Sequence, residues 1–147
     1  MAVRYQLVID CADPDRLAHF WAAALCYEFA PVPAGFATWD DYWRDVGVDE
    51  SELGMGDDRI CDPESRGPDI WFQRVPEPKI IKNRLHLDIS VGGGREVPIE
   101  IRRQRVDAEA QRLSELGGSL TRALSEAGLD HYAVAMTDPE GNEFDIN

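Results

Sequence analysis

Arg84-Leu85-His86-Leu87-Asp88-Ile89-Ser90-Val91 alternates, with His86, Asp88 and Ser90 on one parity and Leu85, Leu87, Ile89 and Val91 on the other. Side chains of a strand point to opposite faces with period two, so the pattern predicts a strand with one apolar face and one face bearing an imidazole and a carboxylate. The chain opens on the same plan. Arg4 to Cys11 sets Tyr5, Leu7 and Ile9 against Gln6, Val8 and Asp10. Laying Tyr5-Gln6-Leu7 on Leu85-His86-Leu87 puts the polar Gln6 on His86.

Working outward from each strand, the two halves continue alike. Asp13-Pro14 offers an N-cap and a proline at the first helical position, followed by Leu17, Phe20, Trp21, Ala24 and Leu25 at helical spacing. In the second half Pro98 opens a helix with Val106, Ala110, Leu113 and Leu116 on one stripe, and Gly117-Gly118 closes it. Strands are predicted over 27–32, around 42–46 and over 70–75 in the first half. In the second they are predicted over 119–124, 131–137 and 143–146, the last after the turn Asp138-Pro139-Glu140-Gly141-Asn142. Pro76-Glu77-Pro78-Lys79 breaks the pattern between the halves. The expectation is α+β, a single domain of two βαβββ modules forming an open, barrel-like mixed sheet around a cleft. Module 1 covers about 1–76, the linker about 77–82 and module 2 about 83–147.

The chain has 147 residues, 28 acidic and 15 basic, for a net charge of −13. A surface this negative repels phosphate backbones and anionic lipid, which argues against nucleic-acid and membrane partners and favours neutral or cationic small molecules. No apolar run is long enough to cross a bilayer. Cys11, Cys26 and Cys61 are odd in number and form no Cys-x-x-Cys, which suggests a reducing cytoplasm and no disulfide framework. Asp10 and Asp13 interrupt the opening run, so no signal peptide is expected. From 39 to 69 eleven acids face only Arg44, Arg59 and Arg66, without the spacing of a calcium loop; a long solvated acidic loop is expected.

Aligning the last strands of the halves on Phe72 and Phe144 places Trp71 on Glu143. The repeat then brings Gln6, Trp71, His86 and Glu143 to matching positions, and three of these carry oxygen or nitrogen donors able to hold a divalent ion. Each also has a structural reading: His86 and Gln6 as hydrogen-bonding strand residues, Glu143 as an ion-pair partner. Trp71, Gln73, Trp39 and Tyr132 are candidate walls of a small-molecule pocket, beside Trp43 and His131. There is no Gly-x-Ser-x-Gly elbow, phosphate loop or dinucleotide fingerprint.

The runs Lys82-Asn83-Arg84-Leu85-His86-Leu87-Asp88, Asp138-Pro139-Glu140-Gly141-Asn142-Glu143-Phe144 and Asp10-Cys11-Ala12-Asp13-Pro14-Asp15-Arg16-Leu17 with Phe20-Trp21 resemble the vicinal oxygen chelate superfamily, in its glyoxalase and bleomycin-resistance branch. The resemblance covers nearly the whole chain. It implies paired βαβββ modules and a metal held by Gln6, His86 and Glu143, with His86 and Glu143 catalytic. It also implies one divalent ion (Zn, Ni, Mn or Fe), or none if Trp71 occupies the second ligand position. The implied activity is that of a lyase or isomerase on a vicinal-oxygen substrate. The alternative is metal-free binding of a cationic or aromatic, antibiotic-type molecule. A homodimer is expected.

Overall fold

The computed structural model describes residues 2–147. Met1, which heads the alternating opening run, lies outside them. The chain divides into two compact units, one ending at Pro76 and the other spanning Glu77–Asn147.

The first unit comprises β1 (Gln6–Cys11), α1 (Pro14–Leu25), β2 (Glu28–Phe29), α2 (Trp39–Asp45), a single 3-10 turn (Glu50–Glu52), β3 (Arg59–Cys61) and β4 (Asp69–Arg74). Its sheet runs β1-β4-β3-β2, with β1 parallel to β4 and the other pairs antiparallel. α1 begins where its sequence dictates. The Asp13 carboxylate accepts the Arg16 N–H, Pro14 takes the first turn, and Leu17, Phe20, Trp21 and Ala24 are buried. The helix packs on β4, whose Ile70 and Phe72 are buried with it. Trp71 and Gln73, by period two, turn to the sheet's other face.

The second unit comprises β5 (Asp88–Ile89), α3 (Ile99–Glu115), β6 (Ser119–Leu124), β7 (Ala133–Thr137) and β8 (Glu143–Ile146). The sheet order is β5-β8-β7-β6, again with one parallel pair, β5 with β8. Val106, Ala110 and Leu113 of α3 are buried, as are Val134, Met136, Phe144 and Ile146 of the sheet it covers. The described residues thus form two four-stranded mixed sheets and three α-helices, an α+β chain of two βαβββ units.

Three elements differ from the sequence reading. The segment 42–46 belongs to helix α2: Thr38 caps it by accepting the Asp41 N–H, Asp40 and Asp41 favour its N-terminus, and Arg44 favours its last turn. The missing strand of the first unit is β3, inside the segment read as loop. The strand expected over 84–91 shrinks to Asp88–Ile89; among the described residues this edge strand pairs only with β8, at Asp145 and Ile146. Leu85, in front of it, is 83% exposed. Likewise β2 stops at Phe29, before Pro31 and Pro33 remove two donors.

The ladders also fix the match between the units. Val8 lies opposite Trp71, and Asp88 opposite Asp145. With Gln6 on His86, Val8 falls on Asp88, so the residue equivalent to Trp71 is Asp145. Glu143 then corresponds to Asp69, which faces Gln6. The alignment of Phe72 on Phe144 is two residues out, because Phe72 and Ile70 are both buried and either can serve as the anchor.

Candidate functional site

On the sheet of the second unit, the strand-parity argument gathers an imidazole and two carboxylates. His86 Nε2 lies 3.4 Å from an Asp88 carboxylate oxygen and 3.8 Å from one of Asp145. One donor atom from each lies within 4.8 Å of the others. Asp88 and Asp145 are held by direct register across the parallel β5–β8 pair, and the Asp145 N–H donates to the Leu87 carbonyl at 2.9 Å. The two carboxylates are therefore fixed by the strand ladder, while His86 meets them from the segment just before β5. Imidazole with two carboxylates suits a borderline-to-hard divalent ion such as Mn, Fe or Zn, whose bonds near 2.1 Å set neighbouring donors about 3 Å apart. The observed separations of 3.4 and 3.8 Å exceed that value by less than 1 Å, and in donor type the residues fit such an ion.

Glu143 is occupied differently. Its carboxylate accepts the Asn83 N–H at 3.0 Å and pairs with Lys79 Nζ at 3.1 Å. The Asn83 amide, then Lys79, hold its pKa down from 4.5 to about 2 against the opposing effect of burial. It ties the segment 79–83 to the start of β8. The carboxylates that face His86 are Asp88 and Asp145. Asp145 was legible in principle: it shares Glu143's parity on a strand whose other residues, Phe144 and Ile146, are buried.

The first unit presents a different surface at the equivalent positions. Val8, Trp71 and Arg59 stand in one row across β1, β4 and β3. The long connection from 30 to 58 folds against them and encloses a cavity of about 660 Å³, lined by Trp43, Val48, Met55, Asp58, Arg59, Trp71 and Gln73 among others. The Arg59 guanidinium carbon lies 5.3, 4.8 and 5.0 Å from the ring centroids of Trp39, Trp43 and Trp71. One of its amino groups donates to both Asp58 oxygens at 2.7 and 2.8 Å, and Trp71 Nε1 donates to the same carboxylate at 3.1 Å. Burial raises the Asp58 pKa, with Arg59 and Trp71 opposing it.

Of the expected pocket residues, Trp71 and Gln73 line this cavity. Trp39 does not; it stacks on Trp43 at 5.6 Å and donates its indole N–H to the Ala30 carbonyl, bracing the wall from behind. Tyr132 belongs to the second unit, where its hydroxyl donates to Asp107 at 2.6 Å under the Arg103 guanidinium. It holds the 125–132 connection to α3 rather than lining the cavity. His131 is exposed beside it. Gln6 edges a separate hollow of about 440 Å³ with Arg4, Arg66 and Asp69. A further Asp15–His19–Asp57 trio is a clasp, with Asp15 accepting the Asp57 N–H at 2.9 Å and His19 donating to the Asp15 carbonyl. Sequence reasoning passed over Asp58, Arg59 and Asp145.

Two βαβββ units, each with its first and last strands paired in parallel, define the class of glyoxalase, bleomycin-resistance and dioxygenase folds. The chain belongs to the glyoxalase-like domain family, whose model matches residues 6–147. Among solved structures it is similar to a glyoxalase/bleomycin resistance protein/dioxygenase family enzyme from Burkholderia phytofirmans PsJN, at 16% identity over 97% of this chain and 94% of that one, TM-score 0.59. It is also similar to the fosfomycin resistance protein FosX of Listeria monocytogenes, at 9% identity over 100% and 91%, TM-score 0.62. A variant of that Listeria protein, complexed with Mn(II) and 1S,2S-dihydroxypropylphosphonic acid, matches at 10% identity over 100% and 92%, TM-score 0.61. At such identities the likeness is one of fold. No curated protein matches the chain. None of the helices among the described residues is long and apolar enough to cross a membrane.

Proposed function

We propose that this chain is a divalent-metal-dependent, glyoxalase-like lyase or isomerase acting on a small substrate with two neighbouring oxygens, and that His86, Asp88 and Asp145 hold the ion. The observation that carries the proposal is the convergence of two carboxylates from adjacent strands and one imidazole nitrogen from the segment just before β5. The Mn(II) complex of the Listeria relative agrees with it at the level of the fold. A bound divalent ion supplies Lewis acidity toward two adjacent substrate oxygens. The chain's own part is to offset the ion's charge with Asp88 and Asp145 and to orient His86 Nε2 toward it. Glu143 lies on the same strand parity. To carry a proton it must first leave Lys79 and the Asn83 amide, which keep it ionised.

The test is metal content and thermal shift with Mn(II), Zn(II), Ni(II) and Fe(II). Near one ion per chain is expected, lost in His86→Ala and Asp145→Asn. Turnover of vicinal-oxygen substrates that survives His86→Ala would refute the metal mechanism.

A second reading has its own observation. The tryptophan-walled cavity of the first unit, at about 660 Å³, is the size of small-molecule sites and contains no residue of the His86 cluster. It supports metal-independent ligand binding, which chelator treatment would leave intact.

A further inference from the structure

The cavity of the first unit also says what kind of molecule it takes. Arg59 is mostly buried, its side chain 17% exposed, and Asp58 is at 15%. The pair is already neutral. Of the five guanidinium N–H donors, those bonded to Asp58 sit on one amino group. Among the described residues, the other amino group and Nε have no protein acceptor. Among those residues no fully enclosed polar side-chain atom lacks a partner, so these donors are not sealed off, and Arg59 lines the cavity. The Gln73 side-chain amide lines the same space and makes no bond of its own among those residues. The indoles of Trp43 and Trp71, with Val48 and Met55, supply flat apolar wall, and the exposed Ser51 and the oppositely charged, exposed Glu52 and Arg74 also line the space.

Three consequences follow from charge and shape. A cation has no place among the tryptophans, because Arg59 already fills the box they form. A carboxylate would add an uncompensated charge to a desolvated pair and compete with Asp58 for the same guanidinium. A neutral oxygen acceptor satisfies the open donors without either cost. Resting on the reading of this cavity as a ligand site, we propose that it binds a neutral, planar, conjugated molecule whose carbonyl oxygen accepts from the free edge of Arg59 while its ring lies against Trp71 and Trp43.

Four probes of one size test this by quenching of tryptophan fluorescence: 2-acetylnaphthalene, 2-ethylnaphthalene, 2-naphthoate and 2-naphthylmethylammonium. The acetyl compound is expected to bind about tenfold or more tighter than the ethyl compound, the worth of a hydrogen bond to a charged donor. It is also expected to bind tighter than either charged probe. Equal binding of the acetyl and ethyl compounds would leave the cavity as a ligand site but overturn the role of Arg59. Tightest binding by the ammonium or the carboxylate would overturn the neutral class. No binding of any probe would refute the cavity reading itself. In Arg59→Lys, which keeps the charge beside Asp58, the ratio of acetyl to ethyl affinity should fall toward one. The comparison within the unaltered protein stands even where that variant folds poorly.

Discussion

Residue by residue, the chain assigns its carboxylates distinct work. Asp88 and Asp145 face His86, whereas Glu143, two positions earlier on β8, is tied to Lys79 and the Asn83 amide. Because its folded pKa, about 2, lies below the ordinary 4.5, Glu143 stabilises the fold fully above pH 4.5 and loses that contribution as pH falls toward 2. Glu143→Gln should be less stable than the unaltered protein near neutrality, with the difference shrinking as pH falls from 4.5 toward 2; urea unfolding followed by circular dichroism at several pH values reads it, and a difference that does not change with pH would contradict the assignment. Gly56 is equally specific. At φ +71 it packs so closely on α1 that a Cβ would stand 2.4 Å from an Asp15 oxygen. Gly56→Ala is expected to cost more than about 1 kcal/mol in urea unfolding, since it strains both the backbone and the Asp15–Asp57 clasp.

Among the elements, the long connection between β2 and β3 separates the two units most sharply. The equivalent connection between β6 and β7, residues 125–132, is short, while that from 30 to 58 carries α2 and supplies Trp43, Val48 and Met55 to the cavity. α2 depends on its cap. Thr38→Ala should cost about 1 kcal/mol of stability and weaken binding of the acetyl probe, because Trp43 loses its support; a full-strength site in this variant would show that the helix is dispensable to the wall.

The same elements show what the sequence could and could not reveal. α1, α3, β6 and β8 were legible because caps, stripes and alternation all agree there, and the bounds of β6 and β8 coincide with those read. α2 was not, since Tyr42, Trp43 and Val46 favour strand locally and only the Thr38 cap and the flanking charges argue for helix. Of the proposed ion site, His86 was singled out by its alternation, although it lies just before β5 rather than on it. Asp145 was hidden by a choice between Phe72 and Ile70 as the anchor, two buried residues one strand period apart, which only the ladder resolves. Arg59 was hidden because an arginine in an acidic stretch reads as solvated, and its burial depends on three tryptophans that lie at 39, 43 and 71.

On the scale of the whole molecule, the repeat has diverged in chemistry while keeping its topology. The second unit carries His86, Asp88 and Asp145; the first carries Gln6, Val8 and Trp71 at the equivalent positions, with Arg59 beside Trp71. The net charge of −13 attracts divalent cations to the chain, so apparent ion affinity should fall as salt is raised. Titration of Mn(II) into the protein, followed by electron paramagnetic resonance, tests the central claim most directly. The account predicts loss of the free-ion signal at about one ion per chain, abolished in Asp145→Asn and retained in Glu143→Gln. Binding that persists in Asp145→Asn, or none in the unaltered protein, would contradict it.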